Sequence, residues 1–258
     1  MFVDSHAHLT GHSVIDNVEE MLQRAGQHQV KAIVNVCTDQ ASLDKGIALV
    51  KRHRWIFNAA AATPHDVGTI GDTFFSIVAQ HAREGGLIAI GETGLDYHYE
   101  HSPKDLQKEH LLRYIELALE TKLPLIFHCR DAFQDLLDVT KGKEISAVLH
   151  CFTGTLEEAK ECLKRGWMIS LSGIVTFKNS VALREVARCV PLDQLLIETD
   201  TPYLAPLSKR GKMNEPGYVV ETAEVIACVR GISTEKLGRA TAHNAVQFFS
   251  FPKHIIDV

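Results

Sequence analysis

Short apolar runs recur along the chain, each followed by a longer stretch whose apolar residues return every three or four positions. The runs are Phe2–Ser5, Ala32–Val36, Ile56–Ala60, Leu87–Ile90, Leu125–Phe127, Ala147–Leu149, Met168–Leu171 and Leu195–Ile197. Segments this short and this continuously apolar read as strands covered on both faces, the kind found in parallel sheets. Strands that alternate with helical patterns predict β/α units. Eight such units in 258 residues fit an α/β fold, one TIM-type (β/α)8 barrel forming a single domain over residues 1–258.

The helical stretches carry their own start and stop signals. Ser102 followed by Pro103 predicts an N-cap with proline at the first helical position, where its missing N–H costs nothing. Leu111, Ile115, Ala118 and Leu119 then make one apolar face. Thr155-Leu-Glu-Glu158 fits a capping box, and Gly166 suits the matching C-terminal turn. Val219–Arg230 and Glu235–Phe249 predict two further helices that complete the outer ring.

Composition narrows the class. Hydrophobic residues make up 45% of the chain, enough for a large core, and no run approaches the roughly 18 apolar residues of a membrane span. The opening Met-Phe-Val-Asp-Ser-His lacks a basic region leading into an apolar stretch, so a cytoplasmic protein is expected. Six cysteines without a C-x-x-C spacing read as reduced thiols. Cys129 and Cys151 are expected to pack outward against the helices, opposite the histidines that precede them. The net charge of −5, from 27 basic and 32 acidic residues, argues against a broad nucleic-acid-coating surface. It leaves room for a nucleic-acid substrate held by a few contacts.

The chemistry gathers at strand ends. His6 and His8 close the first run, and residues i and i+2 of a strand point to the same side. Glu92, His128, His150 and Asp200 follow the fourth, fifth, sixth and eighth runs. Functional side chains of such barrels collect where strands end and loops begin. Alone, each has an ordinary structural reading: a hydrogen-bonded core histidine, a carboxylate in a glycine turn for Glu92, a turn residue before Pro202 for Asp200. Six at matching ends describe a metal site. Imidazole and carboxylate together suit Zn²⁺, Mn²⁺ or Fe²⁺ and tolerate Mg²⁺. One metal that keeps a place for water rarely needs six protein ligands, so two divalent ions about 3.5–4 Å apart are expected. Glu92 is the candidate bridge. Asp200 is the candidate to hold the attacking water and take its proton.

Several motifs then resemble those of TatD-type deoxyribonucleases, metal-dependent hydrolases of the amidohydrolase-like barrel group. They are Asp4-Ser-His-Ala-His8, Gly91-Glu-Thr-Gly-Leu-Asp-Tyr97, His128-Cys-Arg-Asp-Ala132, His150-Cys-Phe-Thr-Gly154 and Glu198-Thr-Asp-Thr-Pro-Tyr203. Arg210-Gly-Lys-Met-Asn-Glu-Pro216 and Ser102-Pro103 are similar as well, and the likeness runs from Asp4 to about Phe249. The resemblance implies a TIM-type barrel with a divalent-metal site of His6, His8, Glu92, His128, His150 and Asp200. It further implies hydrolysis of phosphodiester bonds in DNA, commonly as a 3′–5′ exonuclease dependent on Mg²⁺ or Mn²⁺. One departure stands out. Family members often carry Gly-x-His-Pro-His after the third strand, whereas this chain has Ala61-Ala-Thr-Pro-His65, with Thr63 in place of a histidine that would line the substrate mouth.

A phosphodiester substrate also suits the residues themselves. Arg130 lies two residues past His128 and could fork onto a phosphate. His65 could donate to another oxygen. Arg210, Lys212 and Asn214 occupy the loop after the eighth run, a common phosphate-holding region in barrels. His98, His101 and His110 are expected at the surface, with His98 nearest the mouth. The expected partner is single-stranded or frayed DNA, with RNA a compatible substrate, no membrane, and a monomer. The alternatives are a hydrolase of a small ester, amide or lactone, and a non-catalytic metal- or nucleic-acid-binding factor. Asp200 weighs against the last, because a binding module needs no carboxylate to activate water.

Overall fold

A computed structural model describes residues 1–255; residues 256–258 of the expected domain lie outside the described residues. Eight strands pair in sequence order, each parallel to the next. They are β1 (Phe2–Ala7), β2 (Val30–Cys37), β3 (Ile56–Ala60), β4 (Ala89–Asp96), β5 (Leu125–Arg130), β6 (Ala147–Leu149), β7 (Met168–Leu171) and β8 (Leu195–Ile197). Helices α1 (Val18–Gln27), α2 (Gln40–Arg52), α3 (Val67–Arg83), α4 (Lys104–Thr121), α5 (Phe133–Val139), α6 (Leu156–Lys164), α7 (Val181–Cys189), α8 (Val219–Arg230) and α9 (Thr234–Phe248) run between and after them. This is the TIM-type barrel expected.

Alternate residues of each strand serve two apolar cores. Ile33, Cys37, Ile56, Ile90, Phe127, Leu149 and Ile197 pack outward under the helices. Val34, Val36, Ala59, Ile126, Val148 and Leu196 fill the barrel, closed from below by Ala245, Val246 and Phe249 of α9 and its following turn. Both sets are buried because a parallel sheet has helices on one side and its own interior on the other.

Between β8 and β1 the barrel closes through a thin seam beside the candidate ligands. Ala7 bridges Thr201, His8 N donates to Thr201 O at 2.7 Å and Asp200 N donates to His6 O at 2.9 Å. Side chains reinforce it: Asp4 accepts from Thr199 N at 2.9 Å and from Thr199 Oγ1 at 2.6 Å. Ser5 Oγ reaches Ile197 O and Ser170 Oγ, both at 3.0 Å, forming a polar layer above the apolar interior.

Local sequence signals succeed and fail for traceable reasons. Thr155 and Glu158 form the reciprocal capping box at the start of α6, and Gly166 turns left-handed (φ +76°) just after it. Ser102 does not cap α4; its hydroxyl donates to His65 O at 2.8 Å and accepts from Gly68 N at 3.0 Å, tying the helix entrance to α3. Leu111, Ile115 and Ala118 are buried, but Leu119 is 43% exposed because four neighbouring apolar positions span more arc than the sheet covers. His110, expected at the surface, is buried against Gly71 between α3 and α4.

Candidate metal centre

Two of the ligand-bearing strand ends carry bulges. In β4, Gly91 pairs with Ile126 and Thr93 with Phe127, so Glu92 is the extra residue opposite β5. In β1, three steps from Asp4 to Ala7 match two from Ile33 to Asn35, placing an extra residue around His6. A bulge breaks the strict alternation of a strand and re-aims the side chain it carries. The close approach at β4 also explains its glycines. A Cβ on Gly94 (φ +147°) would lie 1.9 Å from the carbonyl oxygen of His128, so only glycine lets β5 pass.

All six candidate ligands converge in one buried cluster. Nε2 of His6 and Nε2 of His8 are 3.3 Å apart. Glu92 Oε2 lies 3.5 Å and 3.6 Å from them, and Asp200 Oδ1 lies 3.7 Å and 3.5 Å from them. On the other side of Glu92, Oε1 lies 3.0 Å from both His128 Nδ1 and His150 Nε2, which are 3.4 Å from each other. Donors bound to one cation at about 2.0–2.2 Å stand roughly 3–3.5 Å from each other. The donor spacings are of that size, in two groups that share one carboxylate.

The outward ring nitrogens of His8 and His128 have partners that set which nitrogen faces in. His8 Nδ1 is 3.1 Å from Val36 O, and His128 Nε2 is 2.8 Å from Asp96 Oδ2. His150 Nδ1 lies 3.4 Å from Glu198 Oε1. A histidine that donates one ring N–H to such an acceptor presents the lone pair of the other, as metal ligands do. The donor set therefore fits divalent cations.

Electrostatics give the same picture. Burial, with the neighbouring His150, pushes His6 down to about 4. Burial also works against charge on His8, His128 and His150, yet their carboxylate partners outweigh it and raise all three. For Glu92 burial favours the neutral form, but His150, His128 and His6 overturn this and hold the carboxyl well below its usual range. Asp96, opposed by burial, is drawn down to about 2, chiefly by His128. Paired imidazoles and ionised carboxylates of this kind are what a cation replaces protons to bind.

Asp200 adopts the left-handed region at φ +61°, which aspartate tolerates better than most residues. Asn214 fixes that turn. Its backbone N–H donates to Pro202 O at 3.0 Å, and its Nδ2 donates to Thr199 O at 2.8 Å and Tyr203 O at 2.7 Å. Its Oδ1 accepts from Glu215 N at 2.9 Å, and Arg24 grips the Glu215 carboxylate at 2.7 Å. Asn214 was expected to touch substrate; it is fully buried, with both amide hydrogens committed to the turn that carries Asp200.

The other expected substrate residues stay accessible. His65 is half-buried, 3.6 Å from Asp96, with its ring 5.5 Å from that of His128. The Arg130 guanidinium lies 4.8 Å over the ring of Tyr99, which is 52% exposed. Arg210 is exposed over Phe177, and Lys212 is exposed. His98 and His101 are exposed beside Tyr99. Thr63 spends its hydroxyl on Asp66 at 2.9 Å, at the entrance of α3. Cys129 packs in the outer core as expected, but Cys151 does not. Its left-handed backbone (φ +43°) interrupts the strand alternation and sets the thiol 3.2 Å from Ser172 Oγ. Burial, with Asp200 and Glu198 nearby, raises that thiol well above its usual value.

Asp96 and Glu198 escaped the sequence reading although both stand in the motifs quoted. Glu198 precedes Asp200 by two, the same spacing that pairs His6 with His8, and this was a usable signal.

Barrel and donor set together define a metal-dependent hydrolase. Residues 3–250 match the family described as TatD related DNase, and the chain belongs to that family. It is 38% identical over 252 residues to the uncharacterized metal-dependent hydrolase YabD of Bacillus subtilis strain 168, covering 96% of this chain and 99% of that one. It is 35% identical over 255 residues to the 3′-5′ ssDNA/RNA exonuclease TatD of Citrobacter rodentium, covering 95% and 97%. Among solved structures, the TatD homologue YJJV of Escherichia coli K12 superposes with a TM-score of 0.91 at 26% identity, covering 97% and 98% of the two chains. Among the described residues no helix is long and apolar enough to cross a membrane.

Proposed function

We propose that the protein is a deoxyribonuclease, a 3′–5′ exonuclease acting on single-stranded or frayed DNA ends with two divalent cations, Mg²⁺ or Mn²⁺ in function and Zn²⁺ as a compatible ion. One observation carries the reading. The two oxygens of Glu92 face different imidazole pairs, Oε2 toward His6 and His8 and Oε1 toward His128 and His150. His6, His8, Glu92 and Asp200 would hold one cation, and Glu92, His128 and His150 the other. Bound there, the cations supply Lewis-acid activation of water and neutralise charge on a phosphate oxygen.

The chain's own groups do the rest. Asp200, held by Asn214 at the edge of the cluster, accepts the proton of the attacking water. Arg130 and His65, on the His128 side, offer donors to the phosphate oxygens. Arg210 and Lys212 reach farther along the strand from the loop after β8. The similarity to an exonuclease of ssDNA and RNA supports a nucleic-acid substrate and leaves RNA within the same chemistry. We read the protein as a single-domain monomer of the cytoplasm, a compartment that suits its six free thiols.

The test is an end-labelled single-stranded oligonucleotide incubated with Mg²⁺, Mn²⁺ and Zn²⁺ in parallel. The expected product is a ladder shortened one nucleotide at a time from the 3′ end, abolished by EDTA. Turnover of small esters, lactones or amides with the DNA left intact would make it a small-molecule hydrolase. Cation binding with no hydrolysis of either, unaffected by Asp200→Asn, would leave only a binding factor.

A further inference from the structure

Three buried polar atoms without a hydrogen-bond partner in the protein belong to one cluster behind the candidate ligands: Nδ1 of His6, Nδ1 of His150 and Oε2 of Glu198. A ring nitrogen of each histidine and a carboxylate oxygen of Glu198 fall within 4.8 Å of one another. The two rings are stacked, 3.9 Å apart and 13° from parallel. Glu198 is fully buried, and its Oε1 accepts from Cys151 N at 2.6 Å and faces His150 Nδ1 at 3.4 Å.

A neutral imidazole has one N–H and one lone pair. Nε2 of His6 and Nε2 of His150 both face Glu92, so a lone pair there leaves the proton on Nδ1. A buried N–H must have an acceptor. His8 and His128 have theirs in Val36 O and Asp96. For His6 and His150 the carboxylate beside them is Glu198.

We infer that Glu198 is a positioning residue shared by both halves of the metal site. One bridging water accepts Nδ1–H of His6 and of His150 and donates to the free Oε2 of the Glu198 carboxylate, fixing Nε2 of each ring as the lone-pair donor. Three polar partners are what a buried water ordinarily needs. His6 belongs to one imidazole pair and His150 to the other, so one carboxylate orients a donor in each. The inference rests on the two-cation reading above.

Zinc titration against a chromophoric chelator tests it in the full chain. Wild type should bind two ions, and Glu198→Gln should bind both about 10–100-fold more weakly with the metal-free melting temperature unchanged. Unchanged affinities, weakening of one ion alone, or a third ion lost with Glu198, would overturn the inference. Wild type that binds fewer than two ions would instead sink the two-cation reading. Long-range ¹H–¹⁵N spectra of zinc-loaded wild type decide the matter even where the variant does not fold. Nδ1–H on both His6 and His150, exchanging slowly with solvent, is expected; Nε2–H on either ring would refute the assignment.

Discussion

Asp96 Oδ2 and His128 Nε2 stand 2.8 Å apart, and this bond turns the opposite ring nitrogen of His128 onto Glu92. Asp96 Oδ1 meanwhile accepts from the backbone of His98 and Tyr99, so the same carboxylate shapes the loop at the mouth. Asp96→Asn keeps the second task and loses the first. It should weaken the cation on the His128 side about 10–100-fold and leave the other within error. Stepwise zinc titration measures both constants; equal weakening of the two would contradict the division of ligands.

The proposed function gives Glu92 and Asp200 separable duties at the rim of a barrel whose apolar cores lie elsewhere. Asp200→Asn should lower kcat by about 10²–10⁴ with the circular dichroism spectrum preserved. Glu92→Ala should abolish activity and reduce the number of bound cations. Normal turnover in both variants would refute the assignments.

The Arg130 guanidinium lies over the Tyr99 ring and, among the described residues, pairs with no carboxylate of the cluster. Arg130→Ala should therefore raise KM for an oligonucleotide by about tenfold, the value of one lost charge-assisted hydrogen bond. Manganese occupancy should not change. A parallel loss of manganese would make Arg130 part of the metal support instead.

Cation affinity should depend steeply on pH. His8, His128 and His150 are raised above the ordinary imidazole value of 6.5, so without cations they hold protons at a pH where a free imidazole has lost them. Ligation needs the neutral rings, so binding releases protons and affinity climbs as pH rises above 6.5. Glu92, held far down, stays ionised throughout and adds nothing to the slope. Calorimetry in two buffers with different protonation heats should register proton release. A pH-independent affinity would contradict the direction of these shifts.

The apolar pattern was sufficient for the architecture. Ile56–Ala60, Ala147–Leu149, Met168–Leu171 and Leu195–Ile197 have the expected bounds, because each run is apolar to its end. β4 extends to Asp96, well past the expected Ile90, since Glu92, Thr93 and Gly94 are strand residues whose polar or glycine character periodicity reads as loop. The six candidate ligands were legible because each stands at a strand end. The bulges that aim His6 and Glu92 were not, for register belongs to the pairing of two strands and is invisible in one. Asn214 misled for a related reason. An amide in a basic loop looks like a phosphate contact, and only the fold reveals the turn it ties.

The seam between Asp4 and Thr199 joins positions 195 apart in sequence. Asp200, one residue farther on, is the last of the candidate ligands to be translated. Of the candidate ligands His6 and His8 are therefore made first, and the cluster cannot assemble before synthesis has passed Asp200. On the proposed function, a product terminated before that point would lack the closing carboxylate and would be an inert fragment rather than an unregulated hydrolase.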